Sequence, residues 1–165
     1  MKVAVLAWVL SLCVIGVSAT GGTTVETAQA IFTTSNSGTF NGNDPFGNAF
    51  PSLALNQGGD GRWYKFKPAS DGTCQFETTS ASYDTYLYLV SEDCANNPGV
   101  YTTVTQDDDG GSGLLSRIRT TCYSNLVYYV GVGGYSSNSG SYSLAASSPR
   151  GGAIICRKWI ALQLL

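Results

Sequence analysis

Three consecutive aspartates, Asp107, Asp108 and Asp109, precede a glycine-rich stretch and form the densest acidic segment of the sequence. Carboxylates crowded on a flexible turn suit Ca²⁺, a hard cation that prefers oxygen ligands. Asp107 and Asp109 have the alternate spacing of the acidic positions in an EF-hand loop, but the remaining positions do not match. The alternative is a solvated hairpin turn, because Asp and Gly are both turn formers. The segment therefore indicates either a calcium site or a turn.

Two further aspartates, Asp60 and Asp84, each stand just before a predicted strand. They are candidates for additional metal ligands or for one of a pair of catalytic carboxylates. The alternative is that each caps a turn through its own backbone. We predict a metal site drawn from the residues of both groups, with Ca²⁺ as its ion: Asp60, Asp84, Asp107, Asp108 and Asp109.

The chain contains no histidine, which excludes Ser-His-Asp and Cys-His nucleophile systems and His-ligated zinc or haem. No catalytic constellation is recognisable, so we predict no catalytic residue and no enzyme. A small hydrolase that uses carboxylates is the least favoured alternative. The formal charge of -2 argues against a nucleic-acid partner, which usually requires a basic patch.

Ten tyrosines suggest a recognition surface, because Tyr stacks on sugar rings and on protein side chains. Tyr86 and Tyr88 alternate with Leu87 and Leu89, so this Tyr pair faces outwards if the Leu pair faces the core. We predict Tyr86, Tyr88 and Tyr135 as binding residues for an extracellular protein or polysaccharide. The alternative is that Tyr merely occupies the outer face of a strand, where its β-propensity is high.

Residues 1–19 have the features of a secretory signal peptide, with Lys2 ahead of an apolar run and a small-residue cleavage site ending at Ala19. The alternative is a membrane anchor, but the run is short for a span and no charged stop-transfer flank follows it. We therefore expect a secreted chain with no stable membrane span after cleavage.

Signal cleavage would remove Cys13 and leave four cysteines, an even number that indicates disulfides with three alternative pairings. Cys74 opens one predicted strand and Cys122 closes another. If these strands are antiparallel neighbours, the start of one lies opposite the end of the other. We therefore predict a disulfide between Cys74 and Cys122.

Residues 62–146 show short runs of aromatic and β-branched residues in period two, separated by Gly-rich turns. This pattern predicts an all-β fold, an antiparallel β-sandwich of jelly-roll type with about eight strands. Residues 20–61 are predicted as loops with one or two short strands, and residues 41–45 as a turn cluster. Residues 25–31 are the one segment with a short helix-like period.

Four segments together resemble the bacterial pre-peptidase C-terminal domain, a small secreted β-sandwich usually appended to proteases and other exported enzymes. Residues 59–66 resemble its opening strand, an Asp followed by aromatic-x-Phe, and residues 71–76 its Gly-led second strand. Asp84-x-x-Leu87-x-Leu89 resembles its Asp-x-x-Leu-x-Leu strand, and residues 128–144 contain the segments that resemble its closing hairpin. Related collagen-binding sandwiches bind calcium, which makes the acidic segment relevant without assigning a site to it.

The sequence thus predicts a signal peptide over 1–19, an N-terminal linker over 20–27, a sandwich domain over 28–146 and a C-terminal tail over 147–165. The tail matches no element and is a docking helix, an extra strand or the stump of a longer chain. We expect a secreted, non-catalytic binding or accessory domain for an extracellular protein or polysaccharide. The alternative is a structural or assembly module stabilised by calcium and disulfides.

Overall fold

The computed structural model describes residues 21–32, 36–44, 49–50, 61–152 and 154, the backbone alone for residues 49 and 50. These residues form ten β-strands and no helix. The strands are β1 (Gln29–Ala30), β2 (Ser37–Asp44), β3 (Ala49–Phe50), β4 (Arg62–Phe66), β5 (Gly72–Ala81), β6 (Thr85–Glu92), β7 (Tyr101–Asp107), β8 (Arg117–Cys122), β9 (Val127–Tyr135) and β10 (Gly140–Ser147). Within the described ranges, no helix is long and apolar enough to cross a membrane.

The strands form two sheets that pack face to face. Sheet A has the order β1-β4-β9-β6-β7, with β3 also paired to β9, and sheet B has the order β2-β10-β5-β8. All pairings are antiparallel except those of the two-residue strands β1 and β3. Consecutive long strands alternate between the sheets except at the β6–β7 hairpin, which is a jelly-roll arrangement. The predicted antiparallel β-sandwich is confirmed.

The core between the sheets is built from the inward-facing residue of each alternating pair. Leu87 and Leu89 of β6 are fully buried in it, as period-two alternation predicts, and face Phe76 and Leu144 of the opposite sheet. Phe66 lies among other aromatic rings and stacks on Tyr128 at 5.5 Å between ring centres. Full burial of each large apolar side chain contributes about 1.5–3 kcal/mol, which makes this core the main source of stability.

A second apolar cluster covers the outer face of sheet A. Val25, in the segment that the sequence assigns to a linker, is fully buried against Trp63, Val90 and Val127. Gly22 joins this segment to β4 by two backbone hydrogen bonds with Trp63, of 2.9 and 2.8 Å. The outer face of sheet A is therefore a second layer of core, closed by residues 22–28. These residues contain a turn and are followed by β1, so the helix-like period leads to no helix.

Strand β2 runs through residues 41–44 of the predicted turn cluster, so the turn predicted there was wrong, whereas a strand within residues 20–61 was expected. Gly42 and Asn43, from the expected turn cluster, lie inside an eight-residue strand that pairs with β10 along its whole length. Asn41 accepts a 2.6 Å hydrogen bond from the Ser143 hydroxyl across the two strands. The polar strand forms because β10 supplies a complete ladder of partners, a long-range effect that local propensity does not contain.

The predicted disulfide between Cys74 and Cys122 is confirmed. Cys74 lies near the start of β5 and Cys122 ends β8, and the two antiparallel strands bring their Cα atoms to 6.0 Å. Both residues are fully buried in the core between the sheets. Cys94 is also disulfide-bonded. Ile154, from the expected tail, packs against the same outer cluster as Cys94.

Candidate functional site

Three carboxylates from two separate chain segments converge at one end of the sandwich. Asp84 immediately precedes β6, whereas Asp108 and Asp109 immediately follow β7. One carboxylate oxygen of each residue lies within 4.8 Å of those of the other two. We call these three residues the carboxylate cluster. It has the spacing and the all-oxygen donor set that a hard divalent cation requires.

The pKa values of two members of the carboxylate cluster are raised. Burial, and after it the charge of Asp109, raises the pKa of Asp84. Burial also raises the pKa of Asp108, with further contributions from Asp109, Asp84 and Asp107. The Oδ1 atoms of Asp84 and Asp108 are buried and have no hydrogen-bond partner among the described residues. Since an unpaired buried carboxylate oxygen is costly, both atoms are available as ligands of a cation.

Asp107 has a different role from its two neighbours. Its Oδ2 atom accepts hydrogen bonds from the backbone N–H groups of Gly110, at 2.9 Å, and Arg117, at 2.7 Å. The carboxylate therefore closes the loop between β7 and β8, which is the turn-forming alternative for this residue. Residues 108–116 are called the acidic loop below. The predicted ligand Asp60 lies outside the described residues.

Two exposed apolar side chains flank Asp84. The backbone N–H of Tyr135 donates to the Asp84 carbonyl at 3.0 Å, and the N–H of Thr85 donates to the Leu114 carbonyl at 3.1 Å. Tyr135 is 49% exposed and Leu114 is 58% exposed. Leu114 was not among the predicted site residues, and no periodic pattern distinguishes it from any other loop leucine.

A shallow groove of about 430 Å³ opens beside the cluster. Its lining combines hydroxyl groups and apolar side chains with the carboxylate of Asp84: Ser80, Ala81, Ser82, Tyr83, Asp84, Leu114 and Leu115. This end of the molecule therefore brings together an acidic cluster, an exposed aromatic ring and a groove with hydroxyl groups.

The other two predicted binding tyrosines do not present exposed rings, although Tyr86 lies close enough to Asp108 and Tyr135 to interact with them electrostatically. Tyr86 and Tyr88 face away from the core, as the alternation with Leu87 and Leu89 predicts. However, Tyr86 is only 9% exposed, because it belongs to the second apolar cluster on the outer face of sheet A. Tyr88 is half-buried, and its hydroxyl lies 2.9 Å from that of Thr103. Of the three, Tyr135 alone presents a half-exposed ring beside the carboxylate cluster.

No family model matches this chain, and no curated protein matches it. A solved structure to which the chain is similar is the crystal structure of the pre-peptidase C-terminal domain of a collagenase from Bacillus anthracis. The similarity covers 72% of this chain and 93% of that chain, at 16% sequence identity and a TM-score of 0.47. The matched structure is a pre-peptidase C-terminal domain, the family that the sequence motifs resemble.

Proposed function

We propose that this chain is a secreted, non-catalytic binding module that holds Ca²⁺ in its carboxylate cluster. We further propose that it uses this ion, together with Tyr135, to bind a neutral extracellular polysaccharide. The single observation that carries the proposal is the convergence of Asp84, Asp108 and Asp109, with two buried carboxylate oxygens that have no partner among the described residues. Secretion is supported by the predicted signal peptide and by the disulfide chemistry, which favours an oxidising compartment.

Calcium suits the donor set better than the other common protein metals. Every side chain in the cluster offers a carboxylate oxygen, and none offers a nitrogen or a sulfur. Zn²⁺ usually takes His and Cys ligands, whereas Ca²⁺ takes six to eight oxygens and tolerates irregular geometry. Asp109 is exposed, so part of the coordination sphere of the ion would face solvent and remain open to an external ligand.

The charge of the loaded site favours a neutral ligand over an acidic one. Three carboxylates exceed the charge of one Ca²⁺, so the site keeps a net negative charge and repels a further carboxylate. A vicinal diol of a sugar offers two neutral oxygens to the open side of the ion. The exposed Tyr135 ring provides a stacking surface, and the hydroxyls of Ser80 and Ser82 provide hydrogen bonds within the adjoining groove.

A calcium- and disulfide-stabilised structural or assembly module is the second candidate. It is favoured by the position of the cluster between two chain segments, which a bound ion would hold together, and by the Cys74–Cys122 bridge. The two candidates share the ion and differ in whether the loaded module has a polymer ligand.

The ion is tested by thermal unfolding of the oxidised chain in Ca²⁺ and in EGTA. We expect Ca²⁺ to raise Tm, with a stabilisation of about 2.7 kcal/mol when its concentration is about a hundred times Kd. Asp109→Asn, at an exposed position, should remove most of this gain. Glu26→Gln removes a charge that is also exposed but lies outside the cluster, and it should leave the gain intact. A Tm unchanged by Ca²⁺ in the wild type would refute the proposed ion.

The polymer ligand is tested by co-sedimentation with insoluble cellulose and chitin in Ca²⁺ and in EGTA. We expect Ca²⁺-dependent binding to at least one polymer, weakened about tenfold, or about 1.4 kcal/mol, by Tyr135→Ala. Tyr123→Ala is the matched control, since Tyr123 is 50% exposed and Tyr135 49% exposed. A Ca²⁺-dependent Tm shift without binding to either polymer would favour the structural module. Polymer hydrolysis that is lost in Asp84→Asn would contradict a non-catalytic role.

A further inference from the structure

We propose that the buried hydroxyl groups of Thr78, Thr85 and Ser116 are positioning residues of the carboxylate cluster. We call these three residues the hydroxyl network. The inference rests on the proposed calcium site and concerns the residues that determine the affinity of this site for Ca²⁺. An ion held by two chain segments binds well only if those segments are fixed relative to one another, and the hydroxyl network lies where they meet.

All three side chains are fully buried and bonded to one another. The Thr85 hydroxyl oxygen lies 2.9 Å from that of Thr78 and 2.9 Å from that of Ser116. The backbone N–H of Ser116 donates to the hydroxyl oxygens of Thr78, at 2.9 Å, and Thr85, at 3.0 Å. The Thr78 hydroxyl donates to the Ser116 carbonyl at 3.3 Å. Donation from Ser116 to Thr85 and from Thr85 to Thr78 then uses every hydroxyl proton.

The network joins both segments that carry the cluster. Thr85 follows Asp84 directly in the chain, its N–H donates to the Leu114 carbonyl at 3.1 Å, and its hydroxyl oxygen lies 3.4 Å from the same carbonyl oxygen. Leu114 and Ser116 lie at the C-terminal end of the acidic loop. The N–H of Gly111 donates to the Leu115 carbonyl at 2.7 Å, which extends the anchor towards Asp109.

The network also ties the two sheets together beside the site. Thr78 belongs to β5 of sheet B and Thr85 to β6 of sheet A, so their mutual hydrogen bond spans the interior of the sandwich. Three buried hydroxyls offer less net stability than well-packed apolar groups of the same shape, because their desolvation offsets most of the bonding. The three hydroxyls instead fix the position of the acidic loop relative to the strands, because each hydrogen bond has good geometry in only one relative placement.

The test compares Ca²⁺ affinity with stability in the absence of the ion. Thr85→Val keeps the shape of the side chain and removes its hydroxyl, and we expect its Kd for Ca²⁺, measured by calorimetry, to rise about tenfold to a hundredfold. Thr85→Ser restores the hydroxyl and should restore the affinity. Thr79→Val is the matched control. Thr79 follows Thr78 in β5, but its exposed hydroxyl donates to the Ser143 carbonyl and lies outside the hydroxyl network.

The outcomes separate this inference from the proposed function. A wild-type chain that does not bind Ca²⁺ refutes both. A wild-type chain that binds, with Thr85→Val lowering Tm in EGTA but leaving Kd unchanged, refutes the positioning role alone. If Thr85→Val does not fold, Ser116→Ala decides in its place, because it leaves the Thr78–Thr85 hydrogen bond intact. An unchanged Kd for Ser116→Ala likewise refutes the positioning role.

Discussion

The carboxyl groups of Asp84 and Asp108 carry a charge that the folded chain disfavours. Burial is the larger cause at both residues, and neighbouring carboxylates add to it. A group whose pKa is raised by folding stabilises the folded state below its unfolded pKa, and this contribution is lost as pH rises through the folded pKa. Without a cation, the cluster therefore costs stability at neutral pH.

Replacement of Asp108 by Asn should increase stability in EGTA and abolish the response to Ca²⁺. The amide removes the disfavoured charge, so we expect Tm at neutral pH to rise by up to a few degrees. The advantage over the wild type should shrink as pH falls through the raised pKa of the wild-type carboxyl towards its unfolded value of 3.8. Calorimetric melting of both proteins over this pH range measures the difference. A variant less stable than the wild type at neutral pH in EGTA would contradict the repulsion.

At the scale of single elements, β2 is a strand whose stability comes from its neighbour. Gly42 lies opposite Tyr142 of β10, and a Cβ atom at this position would overlap the Tyr142 hydroxyl and ring. The Tyr142 hydroxyl lies 2.8 Å from that of Tyr64, a hydrogen bond that spans the two sheets. A side chain at position 42 would therefore disturb both the edge of sheet B and this buried pair.

Gly42→Ala should destabilise the domain by about 1–3 kcal/mol, the usual cost of overpacking a filled site. Urea unfolding at equilibrium gives the difference directly. Gly38→Ala, in the same strand, is the control, because the three atoms nearest to a Cβ there all belong to the Phe40 ring, the closest at 3.0 Å. Equal stability of Gly42→Ala and the wild type would show that Tyr142 moves aside without cost.

Period-two alternation predicted the strands of residues 62–146 because it records which side chains face the core. Leu87 and Leu89 could be assigned to the inner face on this basis, and the Cys74–Cys122 bridge followed from antiparallel pairing. The burial of Tyr86 could not be predicted, since it depends on a cluster whose members include Val25, far away in the chain. The role of Asp107 was equally hidden, because it depends on where the loop places the N–H groups of Gly110 and Arg117.

The stability of the whole molecule depends on buried tyrosine hydroxyl groups that remain neutral. Burial raises the pKa of Tyr64, Tyr128 and Tyr142 above 10.0, and burial with the nearby Glu92 charge raises the pKa of Tyr101 to about 12. Their contribution to stability is complete below the unfolded pKa of 10.0 and is lost as pH rises through the folded values. The stability of the fold is therefore limited at alkaline pH.

We expect the domain to lose stability steadily above pH 10.0, with the buried phenols ionising as it unfolds. Circular dichroism follows the fold, and the ultraviolet absorbance of tyrosinate follows ionisation in the same titration. The chain in concentrated urea, whose phenols are all exposed, gives the reference titration. Full ionisation of the tyrosines while the β-sheet signal persists would contradict this prediction.

The pairing of β2 with β10 has a consequence for when the domain can fold. These are the first and the last long strands of the described ranges, and sheet B cannot be completed until β10 has joined β2. Among these strands, consecutive long ones pair directly only at the β6–β7 hairpin, so most contacts must close long loops before they contribute stability. Such chains fold slowly, in milliseconds to seconds. We therefore expect a nascent chain of this topology to remain incompletely folded until β10 is available, and an incompletely folded polypeptide can still be threaded across a membrane.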